Sequence, residues 1–249
     1  MKLRCLPELF AAILVVGCSV REDRHSCPCI LDIDLSLFSG VTDGGQLLLD
    51  SRQELLFERL AVSGTVTTTK GVHRVCVAGG SGYSISTDTA FIEHAGEGEL
   101  FTFHDSVVCD SERQSVIAVP RKEFTSVILN IDEDGSASAL RISSDYSGLL
   151  LKDSSPIKGE IDFIPEKIGP GLYRFRLPRQ GVDNSLTIFY TTNGNSTVSL
   201  PLNEWVADAG FDWEARDLAD INIGAEHSFS RISLNIIPWQ TGMSENLTI

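Results

Sequence analysis

The sequence predicts an all-β protein built from two tandem β-sandwiches. Three observations carry this. Apolar and polar residues alternate with period two in many short runs, Gly/Asn/Asp clusters separate those runs, and helical periodicity is nearly absent. Of 249 residues, 42% are hydrophobic and 22% are charged, which is enough apolar material for a substantial core. The balance of 20 Lys+Arg against 34 Asp+Glu gives a formal charge of -14. Such a surface repels phosphate backbones and anionic headgroups, so no nucleic-acid partner is expected.

The chain opens with Lys2 and Arg4 ahead of an unbroken apolar run over residues 9–16. That run is far shorter than the roughly 20 residues a bilayer-spanning helix needs. With Gly17-Cys18 behind it, the segment reads as a signal peptide over residues 1–17. A small residue followed by Cys resembles a lipobox, in which Cys18 becomes the acylated first residue after cleavage. Residues 18–29 then form a tether, and Ser19 with Arg21-Glu22-Asp23-Arg24 resembles lipoproteins sent to the outer membrane and on to the cell surface.

With Cys5 and Cys18 set aside, Cys27, Cys29, Cys76 and Cys109 are the disulfide candidates. An exported location permits oxidation, and four cysteines allow three complete pairings among which spacing does not choose. Cys27-Pro28-Cys29 is spaced more tightly than structural zinc ligands, and no second Cys/His pair follows, so no metal is expected.

The first strand is predicted over residues 30–38, where Leu31, Ile33, Leu35 and Leu37 alternate with Asp32, Asp34 and Ser36. Residues 53–62 carry the one helix-like pattern, with Leu56, Leu60 and the Glu54/Glu58 pair, and the reading there is ambiguous. Further strands are expected over 72–77, 115–119, 127–131 and 186–192, and through Tyr173, Phe175 and Leu177. Two more are expected through Val198, Leu200 and Leu202 and through Ile232, Leu234 and Ile236. Gly79-Gly80-Ser81-Gly82, Asp134-Gly135 and Asn193-Gly194 read as turns, the first as a hairpin loop. Val119-Pro120-Arg121-Lys122 is the candidate hinge, placing one sandwich over 30–120 and the second, with a C-terminal tail, over 121–249.

Catalytic motifs are absent: there is no G-x-S-x-G, HExxH or GxxxxGK[ST]. His25, His73, His94, His104 and His227 lie far apart along the chain. Asn130-x-Asp132-x-Asp134-Gly135 imitates a calcium loop, but Arg141 stands where the bidentate Glu belongs and a strand precedes it, so a turn is expected. No catalytic residue and no cofactor is assigned.

The order of several markers resembles the fimbrillin-associated anchor lipoproteins of surface pili in anaerobic Gram-negative bacteria. They are Cys18, Asp23-Arg24 and Cys27-Pro28-Cys29 leading into a strand, then Leu177-Pro178-Arg179-Gln180, Phe211-Asp212-Trp213, Asp217-Leu218-Ala219-Asp220-Ile221 and a last strand closing on Trp239. The family commonly has Tyr where Phe211 stands, and residues 47–99 carry no marker. The resemblance implies tandem transthyretin-like Greek-key sandwiches, outer-membrane anchoring through lipid on Cys18, pilin subunits as partners, and a role as anchor or accessory subunit. In such pili, stalk subunits lose their first strand by cleavage after an Arg, and another subunit's C-terminal strand fills the groove. Here the first strand begins twelve residues after Cys18, so cleavage at Arg52 or Arg59 would sever strand and lipid together. An intact chain would join the fibre as a donor through residues after Trp239, where Met243, Leu247 and Ile249 are the apolar contacts. The competing class is a glycan-capturing lipoprotein of a nutrient-uptake system, with Trp205, Trp213 and Trp239 as a stacking platform. Against it, Phe211, Trp213, Leu218 and Ile221 crowd one segment that reads as core.

Overall fold

The first alternation becomes β1 (Pro28–Asp34) in a computed structural model of the chain, which describes residues 27–58, 61–131, 137–192, 196–226 and 229–239. Cys29, Leu31 and Ile33 are fully buried, while Ile30 faces outward. The strand ends earlier than the pattern predicts. The Asp34 carboxylate accepts the Ser36 N–H at 2.9 Å, a local turn that competes with the extended ladder. A short 3-10 turn over Phe38–Gly40 then buries Phe38 and leaves Leu37 40% exposed.

The first half continues through β2 (Gly44–Leu49), β3 (Arg52–Glu58), β4 (Ser63–Thr69), β5 (Gly71–Ser81), β6 (Tyr83–Ile85), β7 (Thr89–Ile92), β8 (Glu99–Cys109), β9 (Arg113–Ile117) and β10 (Arg121–Lys122). The helix-like stretch is therefore a strand through Glu58, residues 59–60 lying outside the described residues. Asp50 and Ser51, at φ 49° and 65°, make the left-handed two-residue turn that matches hairpin twist, and β3 folds back on β2. Period two then decides the burial: Phe57 is inside and Leu56 is 68% exposed. The glycine cluster is also placed differently from the sequence reading. Gly79 and Gly80 lie inside β5, because a Cβ would come 2.5 Å from the Gly44 carbonyl oxygen in one case and 2.0 Å from that of Glu99 in the other. Gly82, at φ +69°, turns the chain into β6.

The second half comprises β11 (Phe124–Ile131), β12 (Ala137–Leu150), β13 (Ser155–Phe163), β14 (Glu166–Gly169), β15 (Leu172–Pro178), β16 (Thr187–Thr192), β17 (Thr197–Leu200), α1 (Leu202–Asp208), β18 (Asp220–Glu226) and β19 (Arg231–Ile237). The alternation through Val198, Leu200 and Leu202 breaks at Pro201, after which Leu202 opens the helix and is buried by it. Asp134-Gly135 and Asn193-Gly194 lie outside the described residues.

Four sheets result, in the orders β4-β1-β9, β10-β8-β5-β2-β3, β14-β15-β11-β18-β19 and β17-β16-β12-β7-β6, with β13 paired to β12. The first two enclose a core containing Leu31, Ile33, Leu47, Val75, Val77 and Phe101. The others enclose a core containing Val127, Leu129, Ile142, Phe175, Ile188 and Trp213. The opening strand of each half is central: β1 is antiparallel to β4 and parallel to β9, and β11 is antiparallel to β15 and parallel to β18. The hairpin β6–β7 leaves the first half and extends the β12 sheet through Leu149↔Ala90 pairing. A third apolar cluster, including Leu48, Cys76, Leu100, Leu149 and Leu151, fills the contact this creates.

Candidate assembly interface and the junction between the halves

β1 is held on both edges. Seven residues, Pro28 through Asp34, pair with β4, and Ile30 through Asp34 pair with β9. In this sheet β4 and β9 are joined only through β1, so its removal would leave an open slot between two unpaired edges. The slot's floor receives Cys29, Leu31, Ile33 and Leu35, each 0% exposed. A fully buried aliphatic side chain is worth about 1.5–3 kcal/mol, so apolar burial dominates the hold on β1. On the outer face Asp32 accepts from Thr65 Oγ1 at 3.0 Å and from Arg113 Nη2 at 3.1 Å. The Arg113 hydrogen bond holds the Asp32 carboxyl below its usual range. Being exposed, that pair adds register more than stability.

Toward the other end of the chain, β19 is, among the described residues, an edge strand paired only with β18, its Ile232, Leu234 and Ile236 packing onto the second core. Beyond it the chain reaches back to the first half, where the Trp239 ring lies 6.1 Å from that of Phe101. Phe101 in turn stands edge-on to Phe124 at 5.5 Å.

In the segment expected to be a hinge, Arg121 and Lys122 are strand-paired, and Pro120 and Lys122 are buried. Arg121 and Lys122 pair with Thr102 and Phe101 of β8. Lys122, 1% exposed, forms an ion pair with Asp220 and lies 4.7 Å from the Phe124 ring centroid. Its backbone N–H donates to Asp217 at 3.1 Å. Glu123 is 1% exposed; its Oε1 accepts from Thr102 at 2.6 Å and Ser154 at 2.5 Å, and its Oε2 accepts from Arg179 Nε at 2.6 Å. The rest of the Arg179 fork donates to the carbonyls of Trp213 at 2.5 Å, Ala215 at 2.8 Å and Arg216 at 3.2 Å. Arg179, Trp213, Asp217 and Asp220, distant in sequence and singled out there, thus converge on one clamp between the halves. Sequence reading missed its centre, Glu123 and Lys122; the available signal was a charged tripeptide, Arg121-Lys122-Glu123, set between two strand patterns.

The three tryptophans do not form an exposed platform. Trp213 is buried edge-on to Phe211 at 4.6 Å, Trp205 stacks on Phe229 at 6.2 Å, and Trp239 lies against the first core. His73 is a packing residue joined to Asp50 Oδ2 and the Thr69 carbonyl, both at 2.7 Å. Arg121 Nη1 donates to His104 Nε2 at 2.7 Å; burial and then the Arg121 charge keep that ring's pKa low. Cys27, Cys29, Cys76 and Cys109 are not bridged in this structure, and Cys76 lies at the contact between the halves. Cys18, His25, Arg59, Asp132, Asp134, His227, Met243, Leu247 and Ile249 lie outside the described residues. Among the described residues no group of three or more His, Cys, Asp or Glu gathers that could hold a metal ion.

The architecture defines a class: an all-β protein of paired sheets whose opening strand completes the first sheet and whose halves are clamped by a buried Arg–Glu pair. Solved structures of fimbrial and adhesin proteins share this fold. The fimbrial anchor protein Mfa2 from Porphyromonas gingivalis aligns over 85% of this chain and 99% of its own, with a TM-score of 0.62 at 12% identity. A candidate polysaccharide-binding protein from Bacteroides thetaiotaomicron aligns over 85% and 98%, with a TM-score of 0.63 at 12% identity. A candidate adhesin from Bacteroides ovatus aligns over 91% and 99%, with a TM-score of 0.60 at 14% identity. No protein-family model and no curated protein matches the chain. The likeness to these structures is one of fold.

Proposed function

We propose that the chain is a surface lipoprotein that anchors, or serves as an accessory subunit of, a pilus, and that it joins the fibre by donating a strand. The observation that carries this reading is the occupied slot. β1 fills the groove between β4 and β9 with its own side chains, and it begins within a dozen residues of Cys18, the proposed acylation site. A chain that keeps its lipid keeps β1, so it has no vacant groove to offer a neighbour. Its contribution is then the C-terminal segment after Trp239, through Met243, Leu247 and Ile249, adding a strand to a pilin subunit. The fold shared with a fimbrial anchor protein supports the same reading. The glycan-capturing alternative loses its platform, because all three tryptophans are engaged in packing. Deleting residues 240–249 tests the donor role: fibres are expected in the culture medium with the lipoprotein left in the membrane, and fibres still fixed to cells would overturn it. Cys18→Ala is expected to release the protein from the membrane fraction.

A further inference from the structure

Each of the two sheets around the first core contributes one buried thiol to it. Cys29 sits near the start of β1 in the three-stranded sheet, and Cys109 closes β8 in the five-stranded sheet opposite. They are 0% and 1% exposed and belong to one core, and strand pairing brings them to the same end of it, Cys29 opposite Thr68 of β4 and Cys109 opposite Gly71 at the start of β5. The other two cysteines are placed differently. Cys27 is only half-buried at the mouth of β1, its carbonyl accepting the Lys70 N–H at 2.8 Å. Cys76 lies in the separate cluster between the halves, its thiol donating to the Leu151 carbonyl at 3.4 Å. Every complete pairing of the four cysteines would need Cys76 bridged, so the geometry favours a single bridge with two thiols left over.

We propose that Cys29 and Cys109 close into a disulfide outside the cytoplasm, fastening β1 to the opposite sheet. The proposal rests on the reading of the chain as exported. Each thiol gives up its proton and the pair gives up two electrons as the S–S bond forms. Protons and electrons pass to the disulfide of an exported thiol–disulfide oxidoreductase, which becomes a dithiol. Burial, first, and the neighbouring Cys29 push the Cys109 thiol up to about 12, so once folded Cys109 is a poor nucleophile and oxidation belongs to the folding stage. The bridge locks in place the one strand whose departure would open the β4/β9 slot. An exposed bond such as that after Arg52 can then be cut without releasing the β1 fragment, and the chain cannot become an acceptor for another subunit's strand.

The test uses full-length protein with its own leader, isolated from cell envelopes after alkylation under denaturing conditions. In a Cys27→Ser/Cys76→Ser variant the two remaining thiols are expected to resist alkylation until reductant is added. In the wild type a non-reduced digest is expected to link the peptide containing Cys29 to that containing Cys109. After trypsin nicking at Arg52, the β1 fragment is expected to leave only on reduction. Reduction is expected to lower Tm by roughly 5–15 °C, given the length of chain enclosed. Four alkylated cysteines in envelope protein, or a bridge that survives Cys109→Ala, would overturn the proposal while leaving export intact. Protein found only in the cytoplasm would instead overturn the export reading. Refolding the purified chain in a glutathione redox buffer then decides the pairing: a Cys29–Cys109 bridge supports it and four free thiols refute it.

Discussion

Glu123 and Arg179 form the most deeply buried ion pair among the described residues, and Thr102 of the first half donates to Glu123. Each member of the pair is almost wholly excluded from water, with side-chain exposures of 0% and 4%; Glu123 is the carboxylate paired with Arg179, and Arg121 Nε lies 3.8 Å from its other oxygen. Removing Glu123 leaves the Arg179 guanidinium buried without its carboxylate, so Glu123→Ala is expected to cost about 3–5 kcal/mol in denaturant unfolding. Trp213, whose carbonyl caps Arg179 and whose ring fills the second core, is expected to cost a similar 3–5 kcal/mol on truncation to Ala. A change under about 1 kcal/mol would place its ring on the surface. His73 gives a pH signature. Burial disfavours its charged form, but the Asp50 carboxylate and the Thr69 carbonyl, both acceptors, prevail and raise its pKa above the usual 6.5. A raised histidine pKa stabilises fully below about 6.5 and loses that contribution as pH climbs through the folded value. The urea midpoint is therefore expected to fall as pH rises from 6 to 9, and to be flat over that range in His73→Gln. At this scale the sequence made Arg179, Trp213, Asp217 and Asp220 visible through their order, but a buried Glu123 looks in sequence like any surface acid. Only its partners, 21 to 56 residues away, distinguish it.

Strand elements were legible where one face is dry and the other wet. β1, β15 and β19 follow their alternation because a sheet covering a core demands it, whereas β11 is buried on both faces over most of its length. β3 was not, since Leu56 and Leu60 at helical spacing compete with a period-two reading, and the Asp50-Ser51 turn that settles the matter is set by backbone geometry rather than residue type. The glycines of β5 misled for a related reason. Their role is close strand approach, which sequence cannot separate from turn formation. β1 itself supports a direct test. Ile33→Asp would place a carboxylate in the floor of the slot and is expected to detach the strand, measured as loss of amide protection across residues 63–69 and 113–117 together, since both neighbours lose their partner.

At the scale of the whole molecule, composition and period were enough for an all-β fold of paired sheets, and the resemblance supplied the anchor-like layout. The exchange of the β6–β7 hairpin into the far sheet was not legible. It falls within the stretch that carries no marker, and short strands of two-sided character do not announce their partners. That exchange, with the Leu48–Leu100–Leu149–Leu151 cluster and the Arg179–Glu123 clamp, couples the halves. Calorimetry is expected to show one cooperative transition, and two separated transitions would argue for independent halves. The central claim, a lipid-held chain that keeps its own first strand, is tested most directly by mass spectrometry of the mature N-terminal peptide taken from cells bearing fibres. The expected result is an acylated Cys18 with residues 28–34 still attached, and a lipid-free terminus beginning after Arg52 or Arg59 would contradict it.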